Sequence, residues 1–149
     1  MEIFRISKAK FARKLLSSGK ANRWNLDGEY VIYAGSSRSL ATLELLVHKN
    51  AIKPKVSYKV MVISIPDNDS LIQQILTADL ASNWRSISGI SKLQRIGSKW
   101  YKNQTTLLLK VPSAVIPMEN NYIINTKHKD FKNVKLVRTE DYYYDTRLL

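Results

Sequence analysis

The chain of 149 residues has no cysteine, which excludes disulfides, thiolate metal sites and cysteine nucleophiles. With only five glycines and four prolines, it offers no linker, repeat or low-complexity stretch, and a single domain over 1–149 is expected. Acids are also scarce, with 12 against 24 lysines and arginines for a formal charge of +12. None lies between Glu2 and Asp27 or between Asp79 and Glu119. Such a balance favours anionic partners: nucleic acid, a phosphate-bearing metabolite or an acidic protein. Apolar runs such as Leu107–Leu109 and Leu45–Val47 are far too short to span a bilayer. The opening MEIFRISKAKF lacks a signal-peptide core. A soluble, cytoplasmic protein without a membrane role is therefore expected.

Familiar site motifs are missing too. No GxGxxG follows a strand, and there is no GxxxxGK[ST] or GxSxG, so dinucleotide-fold, P-loop and serine-hydrolase chemistries are set aside. His48 and His128 are far apart and lack metal-ligand company, so both are expected to be surface or hydrogen-bonding histidines and no metal is expected.

The remaining pattern is mixed. Ser7 is placed to cap a helix over Lys8–Ser17, with Phe11, Ala12, Leu15 and Leu16 as its apolar stripe and Gly19 as its stop. Glu29–Ala34 and Tyr58–Ile65 read as strands, with a helix over Ser39–His48 between them. Asp69 or Ser70 would cap a further helix with Leu71, Ile72, Ile75, Leu76 and Leu80 on one face. Ile90, Leu93, Gly97 and Trp100 share a face of another, and Thr105–Val111, Tyr122–Asn125 and Val134–Arg138 complete the strands. About five strands and three or four helices without clean βαβ alternation predict an α+β fold.

Three features sit in unexpected places. Glu44 shares a helix face with Leu40 and Val47; a carboxylate there needs a partner or a task, or else it snorkels to the edge of the stripe. Arg23-Trp24-Asn25 lies in a loop between Gly19 and Gly28. Arg23 suits an anion, Trp24 suits the core, and Tyr33 at the following strand end either faces a site or packs. Pro112 and Pro117 bracket a short segment that presents Ser113, a site residue or a turn serine, ahead of Asn120, Asn121 and Asn125.

In order, these residues carry a resemblance. Arg23-Trp24-Asn25-x-x-Gly28, Val31-Ile32-Tyr33-Ala34, Ser39-Leu40-Ala41-x-x-Glu44-x-Leu46-Val47-His48 and Ile65-Pro66-Asp67 are followed by Gln94-x-Ile96-Gly97-x-x-Trp100 and Val111-Pro112-Ser113-Ala114-x-x-Pro117-x-Glu119-x-Asn121. Ile124-Asn125-x-x-His128-x-x-Phe131 and Asp145-x-Arg147-Leu148 close the set. Together they resemble the RES domain, a toxin family of bacterial type II toxin–antitoxin operons named for an arginine, a glutamate and a serine. Departures are Ala21-Asn22, where the family often has two glycines, and Thr126 and Lys129, where it often has prolines.

The resemblance implies an ADP-ribosyltransferase-like fold, with twisted mixed or antiparallel sheets and flanking helices. It implies cleavage of the nicotinamide–ribose bond of NAD by phosphorolysis or hydrolysis, with NAD as substrate, inorganic phosphate as an optional co-substrate and no tightly bound cofactor. Glu44 would stabilise the oxocarbenium-like ribose, and Arg23 would grip the diphosphate or an attacking phosphate. Tyr33 would stack on nicotinamide, Ser113 would position the ribose or the neighbouring arginine, and Asn121 and Asn125 would add polar contacts. The implied partner is an Xre-type helix-turn-helix antitoxin that occludes the site, and direct nucleic-acid binding is expected only through that complex. Two rivals stand beside this reading: ADP-ribosylation of a protein at the same site, and a basic nucleic-acid-binding module drawing on the +12 charge and eight tyrosines.

Overall fold

The computed structural model describes residues 1–48, 53 and 55–148. Seven strands, β1 (Glu2–Lys8), β2 (Val31–Gly35), β3 (Tyr58–Ser64), β4 (Ile72–Gln74), β5 (Leu108–Pro112), β6 (Asn120–Asn125) and β7 (Lys135–Asp141), form one sheet in the order β4-β5-β6-β2-β1-β3-β7. Every pairing is antiparallel except that of β4 with β5. Among the described residues, two α-helices, α1 (Arg38–Val47) and α2 (Ile90–Asn103), complete the regular elements apart from short 3-10 turns. The α+β class holds.

Strand alternation sends side chains to two faces. One face carries Ile3, Ile32, Ala34, Met61, Ile63, Leu108 and Ile124, covered by Ala12, Leu15, Phe131 and Val134. The other face is divided. Phe4, Ile6, Val60 and Val62 meet Ala41 and Leu45 of α1. Val31, Leu109, Val111 and Ile123 meet Leu93 and Trp100 of α2 together with Trp24. The cleft between these two helix-covered patches is where the polar residues collect.

Helix α1 starts as its sequence directs, because the Ser37 side chain accepts the Leu40 amide hydrogen. Helix α2 buries the predicted Leu93–Gly97–Trp100 face. Gly97 is needed there: a Cβ on it would stand 1.7 Å from the Trp24 carbonyl oxygen. The helix therefore presses directly on the Arg23-Trp24-Asn25 loop.

Two expected helices are not formed. Over Lys8–Ser17, β1 runs to Lys8 and only Ala9–Phe11 make a 3-10 turn. Beyond it, hydroxyls replace helical hydrogen bonds, with Gly19 N donating to Ser17 Oγ and Lys20 N to Ser18 Oγ. Of the expected stripe, Ala12 and Leu15 pack inward while Phe11 and Leu16 stay half exposed. Over Asp69–Leu80, Ile72–Gln74 instead become β4, paired in parallel with Leu108–Lys110. Leu71 and Ile72 pack on one face of the sheet, and Ile75 and Leu80 on the other. Residues that would share one side of a helix thus serve two cores.

The edge strand β7 is tied to α1 by ion pairs. Arg38 donates through Nε and Nη2 to Glu140 Oε1 and Oε2, both at 2.8 Å, and Arg138 Nε reaches Oε2 at 3.1 Å. The Arg38 guanidinium also lies 4.4 Å from the centre of the Phe4 ring.

Gly97→Ala should lower unfolding free energy by about 1–3 kcal/mol, read from urea denaturation, because a methyl group in a packed interface forces displacement. The Arg38 hydrogen bonds, helped by Arg138, hold the Glu140 carboxyl down to about 2 from the usual 4.5. Its contribution to stability is therefore complete above pH 4.5 and is lost as pH falls toward 2. Melting curves of Glu140→Gln and the parent chain should converge over that interval and separate above it.

Candidate active site

Strands β1 and β2 share one bridge, Phe4 opposite Gly35. Continued in register, the ladder would pair Ile6 with Tyr33 and Lys8 with Val31; it does not. Side chains take the place of the missing strand contacts: Arg5 Nη1 donates to Tyr33 O at 2.9 Å and Ser17 Oγ donates to Val31 O at 2.8 Å. The opening leaves a cavity of about 170 Å³ between β1, β2 and α1. Its polar lining is Arg5, Asn22, Tyr33, Glu44, His48 and Asn121, set among Phe4, Ile6, Ala41 and Leu45.

Glu44 is half-buried at this cavity. Its Oε1 accepts from Ser113 Oγ and from Asn121 Nδ2, both at 2.7 Å. One carboxylate oxygen is thus fixed by two donors more than sixty residues away in sequence. Ser113 is fully buried, and its oxygen also accepts the amide hydrogens of Val115 and Ile116 at 3.0 Å. The serine therefore holds the glutamate. With every hydrogen-bonding position in use and no exposed surface, it touches neither an arginine nor the cavity. Asn121 both lines the cavity and orients Glu44.

Tyr33 also lines the cavity, but its hydroxyl is spent on the neighbouring loop. It donates to Asn25 Oδ1 at 2.7 Å and accepts from Trp24 N at 3.0 Å. Burial pushes its phenol well above the ordinary tyrosine value. Asn25 Nδ2 in turn donates to Lys20 O and Leu26 O. The buried Glu29 carboxylate accepts from Leu26 N at 2.7 Å and Ser98 Oγ at 2.6 Å, fastening the loop to α2. Trp24 fills the core as its type suggests.

Arg23 does not line the Glu44 cavity. Its Nη1 donates to the carbonyls of Trp84 and Arg85, each at 3.3 Å. Asn125 is also elsewhere: at the far end of β6 it is fully buried, donates to Tyr101 O and accepts from Lys127 N. Its side chain closes a turn and offers nothing to the cavity. His128 caps a 3-10 turn by accepting from Asp130 N, while His48 ends α1 at the cavity rim. Among the described residues no group of three or more acids and histidines is placed to hold a metal ion.

Arg5 is the site residue that sequence reading passed over. It carries one hydrogen bond to a backbone carbonyl and has no carboxylate within 4.0 Å among the described residues. Desolvation lowers its pKa from the usual arginine value. A desolvated guanidinium with open donors is a receptor for an anion. Its only sequence signal is a charge amid the apolar residues of EIFRI.

The RES domain family model matches residues 2–145. A Photorhabdus laumondii protein named Toxin Res is 34% identical over 154 aligned positions, covering 100% of this chain and 97% of that protein. A Sphingobium protein named Prs ADP-ribosylating toxin is 34% identical over 128 positions, covering 85% and 80%. The crystal structure of the M. tuberculosis MbcT-MbcA toxin-antitoxin complex contains a chain similar at a TM-score of 0.76 and 17% identity, covering 95% of this chain and 83% of that one. This last likeness is one of fold.

Ser113→Ala should lower unfolding free energy by about 1–3 kcal/mol, since it leaves the amides of Val115 and Ile116 without an acceptor. Chemical denaturation checks the magnitude. The Glu44 side-chain carboxyl resonance should move in the same variant.

Proposed function

The chain belongs to the RES domain family, and from that premise we propose that it is the toxin of a toxin–antitoxin pair and that it breaks the nicotinamide–ribose bond of NAD at Glu44. The observation that carries this reading is the Glu44 carboxylate, held by Ser113 and Asn121 through one oxygen at the wall of a mostly apolar cavity. No hydrogen bond engages its second oxygen among the described residues.

When the glycosidic bond breaks, its electron pair passes to the nicotinamide nitrogen, which becomes neutral, and the ribose is left oxocarbenium-like. A fixed carboxylate in a poorly solvated site stabilises that charge without reorganising as it develops. In this reading the free oxygen of Glu44 faces the ribose or holds its 2′-hydroxyl. Water or inorganic phosphate then bonds to the ribose carbon, giving ADP-ribose with release of a proton, or ADP-ribose 1-phosphate. The 170 Å³ cavity suits one ring-sized group, far below the room a whole dinucleotide needs. It is assigned to nicotinamide, against the Tyr33 ring, with the rest of NAD running outward.

Arg5 is the better-placed diphosphate partner, because it lines the cavity with donors to spare. Arg23 lies off the cavity lining and engages only Nη1, in two 3.3 Å contacts to Trp84 and Arg85, which are long and therefore weak hydrogen bonds. Asn121 is kept as a polar contact through Glu44. The proposed partner is an Xre-type antitoxin that covers this opening.

One observation favours a second reading. The relative named Prs ADP-ribosylating toxin makes a protein side chain a candidate acceptor at the same site. Only the attacking nucleophile differs, so product identity decides. Purified chain freed of any antitoxin should convert NAD to ADP-ribose 1-phosphate with phosphate present or to ADP-ribose without it, as read by mass spectrometry. Intact NAD under both conditions would refute the cleavage reading. Glu44→Gln should lower kcat by about 10²-fold or more while leaving the melting temperature close to that of the parent.

A further inference from the structure

The opened β1–β2 ladder has two mouths. The Glu44 cavity lies on the α1 side of the sheet, among Phe4, Ile6 and Ala41. On the opposite face is a second recess of about 560 Å³, floored by Ile32 and Met61, which belong to the other core. Arg5 is in the lining of both. Its side chain reaches across to β2, where Nη1 donates to Tyr33 O.

The second recess has a defined chemistry. Lys8 and Lys20 join Arg5 on its wall, beside Ser7, Ser17 and Ser18. None of the three cations has a carboxylate within 4.0 Å among the described residues. Arg38 and Arg138 are paired with Glu140, Lys59 with Asp141 and Arg147 with Asp145. The recess also has an apolar side, where Phe11 and Leu16 are 51% and 50% exposed. Three cations lining one recess call for a multivalent anion, because a single carboxylate would leave charge uncompensated. The apolar side calls for a ligand with a hydrophobic body.

We propose that this recess is a second binding site, for a small molecule carrying a diphosphate or similar polyanion on an apolar body, and that its occupancy is transmitted to the Glu44 cavity through Arg5. A polyanion in the recess draws the guanidinium toward Lys8 and Lys20 and weakens its bond to Tyr33 O. That shifts the charge and the strand carbonyl facing the first cavity. Coupling of this kind is reciprocal: a ligand at either mouth changes affinity at the other by the same factor.

The test is binding, so it holds whether or not the chain cleaves NAD. ¹⁵N-labelled full-length protein is titrated with inorganic pyrophosphate at constant ionic strength. The expected result is saturable shifts at the Ser17, Ser18 and Lys20 amides and at Arg5 Nε. The dissociation constant should rise about tenfold or more in Lys8→Ala/Lys20→Ala, whose other amide resonances should stay in place. A parallel titration with nicotinamide, followed at Tyr33 and Asn121, should show its affinity altered by saturating pyrophosphate. Shifts confined to residues of the Glu44 cavity, or an affinity unchanged in the double variant, would overturn the site. An unmoved Arg5 Nε resonance, or a nicotinamide affinity indifferent to pyrophosphate, would overturn the coupling.

Discussion

Antiparallel strands that start a ladder ordinarily continue it, because each further pair satisfies backbone groups that would otherwise lose their hydrogen bonds on burial. Here β1 and β2 stop after Phe4 and Gly35, and the carbonyls of Tyr33 and Val31 turn to the side chains of Arg5 and Ser17 instead. The substitution keeps the sheet whole while leaving a hole through it. The cavity at Glu44, the desolvated cation beside it and the recess behind it all descend from that interrupted ladder. It also accounts for the irregular course of residues 12–18: Ser17 serves the strand edge, so its hydroxyl and its backbone are committed away from a helix.

Around that opening the molecule assigns rigidity unevenly. Glu44 sits on α1, but its orientation is set by the loop that follows β5 and by the start of strand β6, through Ser113 and Asn121. Two hydrogen bonds to one oxygen restrict rotation of the carboxylate and leave the other oxygen for whatever enters. The same economy appears in the Arg23-Trp24-Asn25 loop. Tyr33, Asn25 and Glu29 satisfy its backbone from inside, and Gly97 lets α2 close on it without a side chain between them. The wall of the cavity is thereby preorganised, as the proposed stabilisation of developing charge requires.

Charge is distributed to the same end. The acids of the chain are few, and several are consumed at the β7 edge by Arg38, Arg138 and Lys59. Glu29 is buried against α2 and Glu44 is tied to Ser113. Little negative charge is left to neutralise Arg5, Lys8 and Lys20 along the opened strands. Part of the formal charge of +12 thus stands unpaired among the described residues at Arg5, Lys8 and Lys20, in addition to any general effect on solubility.

Periodicity along the chain was enough to place α1, the buried face of α2 and the strand at 58–64, since each is decided by neighbours within a few residues. The resemblance carried by Arg23, Glu44 and Ser113 was enough to point to the family and to single out Glu44. Other features depended on partners far away in sequence. Leu71–Leu80 has the spacing of a helix, yet β5 draws its middle into the sheet and both cores claim its apolar residues. Ser113 reads as a ligand residue until it meets Glu44, 69 positions away; Asn125 reads as one until it meets Tyr101. Arg5 reads as an ordinary strand charge until its neighbouring strand fails to pair. Local pattern records what a residue prefers, whereas hydrogen-bond partners and desolvation are properties of the assembled sheet, so Glu44 could be picked out as a candidate from the chain while its surroundings were decided only by the fold.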